Sequence, residues 1–215
     1  DKQGEHSKSY NNRPIIFSDE NTPFNTDIYT DTLNHIKRTA SGLSRSQVVN
    51  NLIEYLDLNM LKPAIFFSFS RKGCEKFANA VQHNLLRDTE PSLVDKLVHD
   101  YLRKTDNYQS YIHMDQFYSL KKCLDKGIAY HHSGLMPIFK EVIEMLFEYK
   151  DPDGTHHPLV KILFATETFA VGVNMPTKTV VFTSLEKYTD GEKRYLHTHE
   201  YLQMAGRAGR RGIDK

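Results

Sequence analysis

The run Gln203-Met-Ala-Gly-Arg-Ala-Gly-Arg-Arg-Gly212 gathers the residue types that bind phosphate. If it is helical, Gln203, Arg207 and Arg210 fall at i, i+4 and i+7, on one face. Two guanidiniums aimed at one point suit a phosphate. The small residues Ala205, Gly206, Ala208 and Gly209 let the backbone come close to a partner. The plainer alternative is a flexible Gly/Arg segment that coats nucleic acid without specificity. A second segment, Phe164-Ala-Thr-Glu-Thr-Phe-Ala-Val-Gly-Val-Asn-Met-Pro176, offers hydroxyls at Thr166 and Thr168, a tight-turn glycine at Gly172 and a stop at Pro176. Its plain reading is a β-loop with a turn glycine. A third, Ile65-Phe-Phe-Ser-Phe-Ser-Arg-Lys-Gly-Cys-Glu75, sets Ser68, Ser70 and Arg71 at a strand-to-helix turn. Hydroxyls, a guanidinium and helix-terminal N–H groups there suit a phosphate, or else simply cap a helix beside a solvated Arg. The fourth is Tyr130-His-His-Ser-Gly-Leu-Met-Pro137.

These segments need elements to hold them. Apolar residues at Val48, Val49, Leu52, Ile53 and Leu56 have helical spacing, with Ser44 or Ser46 as N-cap. After Pro63, residues 64–69 read as a buried strand, followed by a helix over about 72–86 with Phe77, Val81 and Leu85 inward. Residues 87–126 form a further amphipathic stretch, striped by Leu93, Val94, Leu97, Val98, Tyr101 and Leu102. Strand 127–131, helix 138–149 (Ile138, Val142, Met145 and Leu146 inward), strand 160–165, loop 166–178, strand 179–184 and a small-residue helix near 201–210 complete the chain. Alternating short strands and helices predict an α/β fold with a mostly parallel sheet, whose ligands bind at the carboxyl ends of the strands. Residues 1–43 read as a weakly ordered arm, linker or insertion, and Ile15–Phe17 as a short edge strand. Residues 44–215 read as one domain, with 87–126 a variable helical insertion.

The 203–212 run resembles motif VI of superfamily-two helicases. It is similar above all to the superkiller-type DExH-box enzymes, the RNA helicases that work with the exosome. Segments 164–176 and 65–75 resemble motifs V and IV, the KTVVFTS that follows extends the motif V match, and 130–137 resembles the family's HHSGL segment. The four stand in family order, and the likeness covers about Ser46 to Asp214. It implies the second RecA-like domain of an ATP-dependent RNA helicase moving 3′ to 5′ on single-stranded RNA. It implies that Arg207 and Arg210, with Gln203, act at the γ-phosphate of ATP as an arginine finger. Gly172 and Asn174 would lie near the nucleotide. Thr166 with Glu167, Ser68, Ser70, Arg71, His132, Ser133 and Gly134 would face the nucleic-acid backbone. Related DNA-repair members tend to carry Pro where this chain has Arg211, which favours RNA. The open alternatives are a DNA helicase of the same superfamily and a non-catalytic RNA-binding module. A hairpin near the duplex junction is expected around Glu192–Arg194.

What is missing matters as much. None of the 11 glycines is followed by Lys, so there is no GxxxxGK[ST] phosphate loop. Ile15-Ile-Phe-Ser-Asp-Glu20 has an apolar-then-acidic pattern, but Asn21 and Thr22 do not continue it as DExH. The chain is therefore expected to be half a motor that hydrolyses no ATP alone. The first RecA-like domain of the parent chain would supply the phosphate loop and the Mg²⁺ ligands. A complex for RNA decay or processing is the expected setting, in nucleus or cytoplasm. The first residue is Asp, as in a piece of something longer. Charge is balanced, 28 basic against 27 acidic over 215 residues, which excludes a globally basic nucleic-acid coat. The balance is uneven, however: residues 203–215 hold four basic residues and one acidic. No stretch reaches membrane-spanning length, and no secretory pattern opens the chain. Cys74 and Cys123 stand in no CxxC unit, which argues against zinc or a disulfide framework and for a reducing compartment. The 11 His include three close pairs, but no Cys or acidic partners stand at ligand spacing, so no metal site is expected.

Overall fold

The computed structural model describes residues 25–28, 30, 31, 34, 44–172, 177–189 and 191–209. The chain divides into two compact units, Asp1–Ser44 and Arg45–Lys215. Of the first, residues 26–28, 30, 31 and 34 are helical, and Ile28 N–H donates to Asn25 Oδ1 at 2.9 Å. The expected edge strand Ile15–Phe17 and the Asp19-Glu20 pattern lie outside the described residues.

The second unit is an α/β layer structure. Its elements run α1 (Arg45–Leu58), β1 (Ala64–Phe67), α2 (Arg71–Ala80), α3 (Glu90–Leu102), α4 (Tyr108–Ile112), α5 (Asp115–Leu124), β2 (Ile128–His131) and α6 (Pro137–Phe147). Then come β3 (Ile162–Ala165), α7 (Glu167–Gly172), β4 (Thr179–Phe182), β5 (Glu186–Thr189), β6 (Glu192–Tyr195) and α8 (Thr198–Ala205). Strands β2-β3-β1-β4 form one sheet, every pair parallel. The expected parallel α/β architecture is what the chain adopts.

β1, β2 and β3 are buried along their whole length, as uninterrupted apolar strands between helices must be. Phe164 sits between Phe66 and Phe77, with ring centroids 5.0 and 6.1 Å away. Helix α2 packs on β2 and β3 with α1 and α5 beside it; α6 packs on β2 with α3 against it. α6 buries Phe139, Val142, Ile143, Leu146 and Phe147, the i, i+3, i+4, i+7, i+8 stripe of a core-facing helix. Ile138 and Met145, expected inward, are only partly buried because the stripe lies one residue further on.

The helix expected over 72–86 stops at Ala80. Its end is capped from outside. Asn50 of α1 donates from Nδ2 to Ala80 O at 2.9 Å, and its Oδ1 accepts from Gln82 N–H at 2.9 Å. Val81 and Leu85 are still buried, in irregular chain rather than helix. Two further features bear on function. A short helix, α7, occupies the start of the expected loop 166–178. The two-stranded β5–β6 hairpin turns through Gly191 at φ +86°, where the absence of Cβ makes the turn accessible.

Candidate functional site

Register places the segments. Phe67 pairs with both Ala165 and Phe182, and Ala165 pairs with His131. The four strands therefore end together, and the next residues leave one edge of the sheet. Cross-links tighten that edge: Ser68 N–H donates to Ala165 O at 2.9 Å, Thr166 N–H to His131 O at 3.2 Å, and Thr183 N–H to Phe67 O at 3.0 Å. An open cleft of about 190 Å³ results, lined by Phe69, Ser70, Arg71, Ser133, Thr166, Glu167, Thr168, Lys187 and Tyr188. Four separate sequence segments meet there.

Each wall has a local cause. Ser70 is the N-cap of α2, its Oγ accepting from Gly73 N–H at 2.9 Å. A Cβ on Gly73 would fall 2.5 Å from Ser68 Oγ and 2.6 Å from Ser70 Oγ. Gly73→Ala must therefore displace the cap and should cost about 1 kcal/mol or more in denaturant titration. Ser68 itself is buried, 4% exposed, and supports this turn rather than facing solvent. Arg71 and Ser133 are exposed. A Cβ on Gly134 would meet Arg71 Cδ at 3.3 Å and Nη1 at 3.4 Å, so glycine there lets the guanidinium lie against the 132–136 turn. The Thr166 and Thr168 hydroxyls bond each other at 2.9 Å at the base of α7.

His132 is placed otherwise than a ligand contact would need. It is 2% exposed. Nδ1 accepts from Gly134 N–H at 3.1 Å, which leaves Nε2–H to donate to Glu75 Oε1 at 3.0 Å. Both ring nitrogens are committed to shaping the turn. Burial pushes His132 below its ordinary range despite Glu75, and pushes His131 down to about 4. Both are neutral near pH 7, so neither brings a cation to a phosphate. Two residues that short-range patterns do not flag complete the turn. Glu75 holds His132, and Gln116 of α5 brackets the turn, donating to Gly134 O at 3.1 Å and accepting from Met136 N–H at 2.9 Å.

Glu167 is likewise engaged: its Oε2 accepts from Lys187 Nζ at 2.6 Å. Lys187 also meets Glu200 Oε1 at 2.7 Å. Glu200 receives Arg194 bidentately at 2.8 and 2.9 Å and His197 N–H at 2.8 Å. The Arg194 hydrogen bond leads the effects that hold Glu200 far below the usual carboxylate range.

Past Gln203 the chain turns away from the cleft. α8 ends at Ala205, and Gly206–Gly209 leave it as turns. Gln203 is thus on the helix and Arg207 beyond it, so the two do not share one helical face. Tyr201 stacks on Phe182 at 4.9 Å, near the carboxyl edge. By Ala208 the chain pairs with Thr177, ahead of β4, with Thr177 N–H donating to Arg207 O and Gly209 N–H to Thr177 O, both at 2.9 Å. This segment therefore runs back along the β4 side of the sheet instead of starting at its carboxyl edge. Arg207 donates from Nη2 to Ala170 O of α7, tying the segment to the helix that follows Thr166. Gln203 is exposed and Arg207 partly exposed. Gly172 closes α7; Asn174 and Arg210 lie outside the described residues. Among the described residues no three His, Cys, Asp or Glu gather as a metal site, and no helix is long and apolar enough to cross a membrane.

Comparison with known proteins fits this arrangement. The family model of the helicase conserved C-terminal domain matches residues 92–212. The chain is 40% identical to the DExH-box ATP-dependent RNA helicase DExH9 of Arabidopsis thaliana, over 92% of this chain and 21% of the relative. It is 40% identical to the antiviral helicase SKI2 of Saccharomyces cerevisiae over 76% of this chain and 12% of the relative. With the exosome RNA helicase MTR4 of Homo sapiens it shares 35% identity over 91% of this chain and 19% of the relative. It spans about a fifth or less of the length of these relatives. The chain belongs to the helicase conserved C-terminal domain family, in the form carried by superkiller-type DExH-box RNA helicases, and its helix-flanked parallel sheet is RecA-like.

Proposed function

We propose that this chain is the second RecA-like domain of an ATP-dependent RNA helicase that translocates 3′ to 5′ on single-stranded RNA. The observation that carries the reading is the convergence of Ser70, Arg71, Ser133 and Thr166 on one cleft at the carboxyl edge of the sheet. Hydroxyls and one guanidinium suit a sugar-phosphate backbone and carry little base information, so sequence readout is weak. Ser68, His132 and Glu167 act here as supports of the cleft walls, and Gly134 as the small residue that lets Arg71 approach. Domains 1–43 and 44–215, with 87–126 as an insertion, remain the working division.

The donor set at the end of α8 fits phosphate. Gln203 and Arg207 present an amide and a guanidinium, while the nearby carboxylate of Glu200 is already held by Arg194 and Lys187. That set fits the terminal phosphates of ATP and not Mg²⁺. Mg²⁺ ligands are therefore assigned to a first RecA-like domain in the parent chain. When bound, Mg²⁺-ATP supplies the phosphoryl group whose cleavage drives the motor. Arg207 and Arg210 stabilise the developing phosphoryl charge, Gln203 orients the site, and Gly172 and Asn174 lie beside the nucleotide. The protein works inside the cell, in nucleus or cytoplasm, within an RNA-decay or RNA-processing complex. The Glu192–Arg194 strand belongs to a hairpin placed to meet the duplex junction.

Two outcomes follow. The isolated 215 residues show no ATP turnover above background in an RNA-stimulated assay; robust turnover would refute the half-motor reading. The full-length protein unwinds RNA duplexes with a 3′ single-stranded overhang and leaves 5′-overhang duplexes intact. The reverse preference overturns the polarity.

A further inference from the structure

The β5–β6 hairpin has one face tied down and one bare. Directly opposed residues share a face. Glu186, Tyr188, Lys193 and Tyr195 therefore lie on one side, and Lys187, Thr189, Glu192 and Arg194 on the other. Tyr188 and Tyr195 are 75% and 71% exposed. The second side is anchored. Lys187, its side chain only 10% exposed, stands between Glu167 of α7 and Glu200 of α8, and Arg194 grips the same Glu200. One ion network thus joins α7, both hairpin strands and α8. Its members are half-buried and share partners, which sets it apart from isolated surface pairs of little worth.

The position of this network matters more than its strength. Glu167 follows Thr166 directly and lines the cleft with it. Gln203 lies one helical turn past Glu200. Lys187 lines two cavities, the 190 Å³ cleft and a second of about 280 Å³ that also borders Thr168, Glu200 and Gln203. Removing the ammonium leaves Glu167 and Glu200 without their shared counter-charge, and α7 and α8 lose the ion link that passes through the hairpin. The Arg207–Ala170 bond remains as a second tie between the two segments.

We propose that Lys187 is a positioning residue that couples the nucleic-acid cleft to the nucleotide site, by holding α7, the hairpin and α8 in one register. The idea rests on the helicase reading above. Its test uses the full-length protein, with Lys187→Met, Lys187→Arg and Glu167→Gln, and measures ATP turnover against RNA concentration. At saturating RNA, Lys187→Met should lower the fold-stimulation by RNA about tenfold, within the range mutations of coupling networks produce. The RNA concentration at half-stimulation should move less than about threefold. Lys187→Arg should recover most of the stimulation, since the cation is retained. A merely structural residue would change the melting temperature and leave that ratio alone. If Lys187→Met melts below the assay temperature, Glu167→Gln, which cuts only the α7 link, is read for the same drop. Unchanged stimulation in the folded variants overturns the proposal, as does a shift confined to half-stimulation, which would make Lys187 a simple phosphate contact. A wild-type protein that RNA does not stimulate would instead overturn the helicase reading, and this inference with it.

Discussion

Arg210→Ala in the full-length protein lowers RNA-stimulated ATP turnover by ~10³-fold or more, the effect of losing an arginine that stabilises phosphoryl transfer. RNA affinity should stay within about threefold, because the proposed RNA contacts at Ser70, Arg71, Ser133 and Thr166 are untouched and few phosphate contacts are lost. The cleft residues leave the carboxyl ends of β1, β2 and β3, while the chain from Ala205 to Gly209 runs beside Thr177, ahead of β4. Arg207→Ala should also cost turnover. It removes the bond to Ala170 O as well, so it mixes chemistry with the positioning of α7. Equal loss of turnover and RNA binding in Arg210→Ala would favour a binding module over a motor.

Phe164→Ala should destabilise the fold by about 3–5 kcal/mol, the usual cost of emptying a buried aromatic site. Phe164 is fully buried in the central layer, between Phe66 and Phe77. It also belongs to the strand that delivers Thr166 to the cleft, and Phe77 sits on the helix that Ser70 caps. The neighbouring strands are fixed by parallel ladders on both sides, so the void cannot readily collapse. At about 2–4 °C per kcal/mol for a chain of this size, the melting temperature falls by about 6–20 °C. Thermal or urea unfolding followed by circular dichroism measures it. A change under about 1 kcal/mol would mean that the sheet is not the packed centre described above.

Periodicity alone recovers the parallel sheet, the four strands and most helices, because buried strands here are short unbroken apolar runs and α6 carries a full stripe. It recovers the cleft as well, since Ser70, Arg71, Ser133 and Thr166 all lie just past strand ends. It fails where a distant side chain decides a local outcome. The end of α2 is set by Asn50, 30 residues before Ala80, and no local signal near Val81 marks it. His132 stands in a segment that resembles a binding motif, but its ring is spent on Gly134 and on Glu75, 57 residues away. Gln116 comes from the 87–126 stretch, which carries none of the four motif segments, and brackets the same turn. Lys187 is invisible without the fold, because its partners lie 20 and 13 residues off on different helices. Glu200 does leave a trace: a Glu in the first turn of a helix is a familiar N-terminal device, and here it also closes His197 N–H. The one-face argument for Gln203 and Arg207 fails because α8 stops at Ala205, where two glycines within four residues weaken helix.

If this domain completes an RNA-driven ATPase, ATP turnover by the full-length protein, measured with single-stranded RNA and DNA of matched length in competition, is strongly stimulated by RNA. That stimulation is abolished by Arg210→Ala and little affected by excess DNA. Equal or greater stimulation by DNA, or turnover indifferent to either strand, would contradict it.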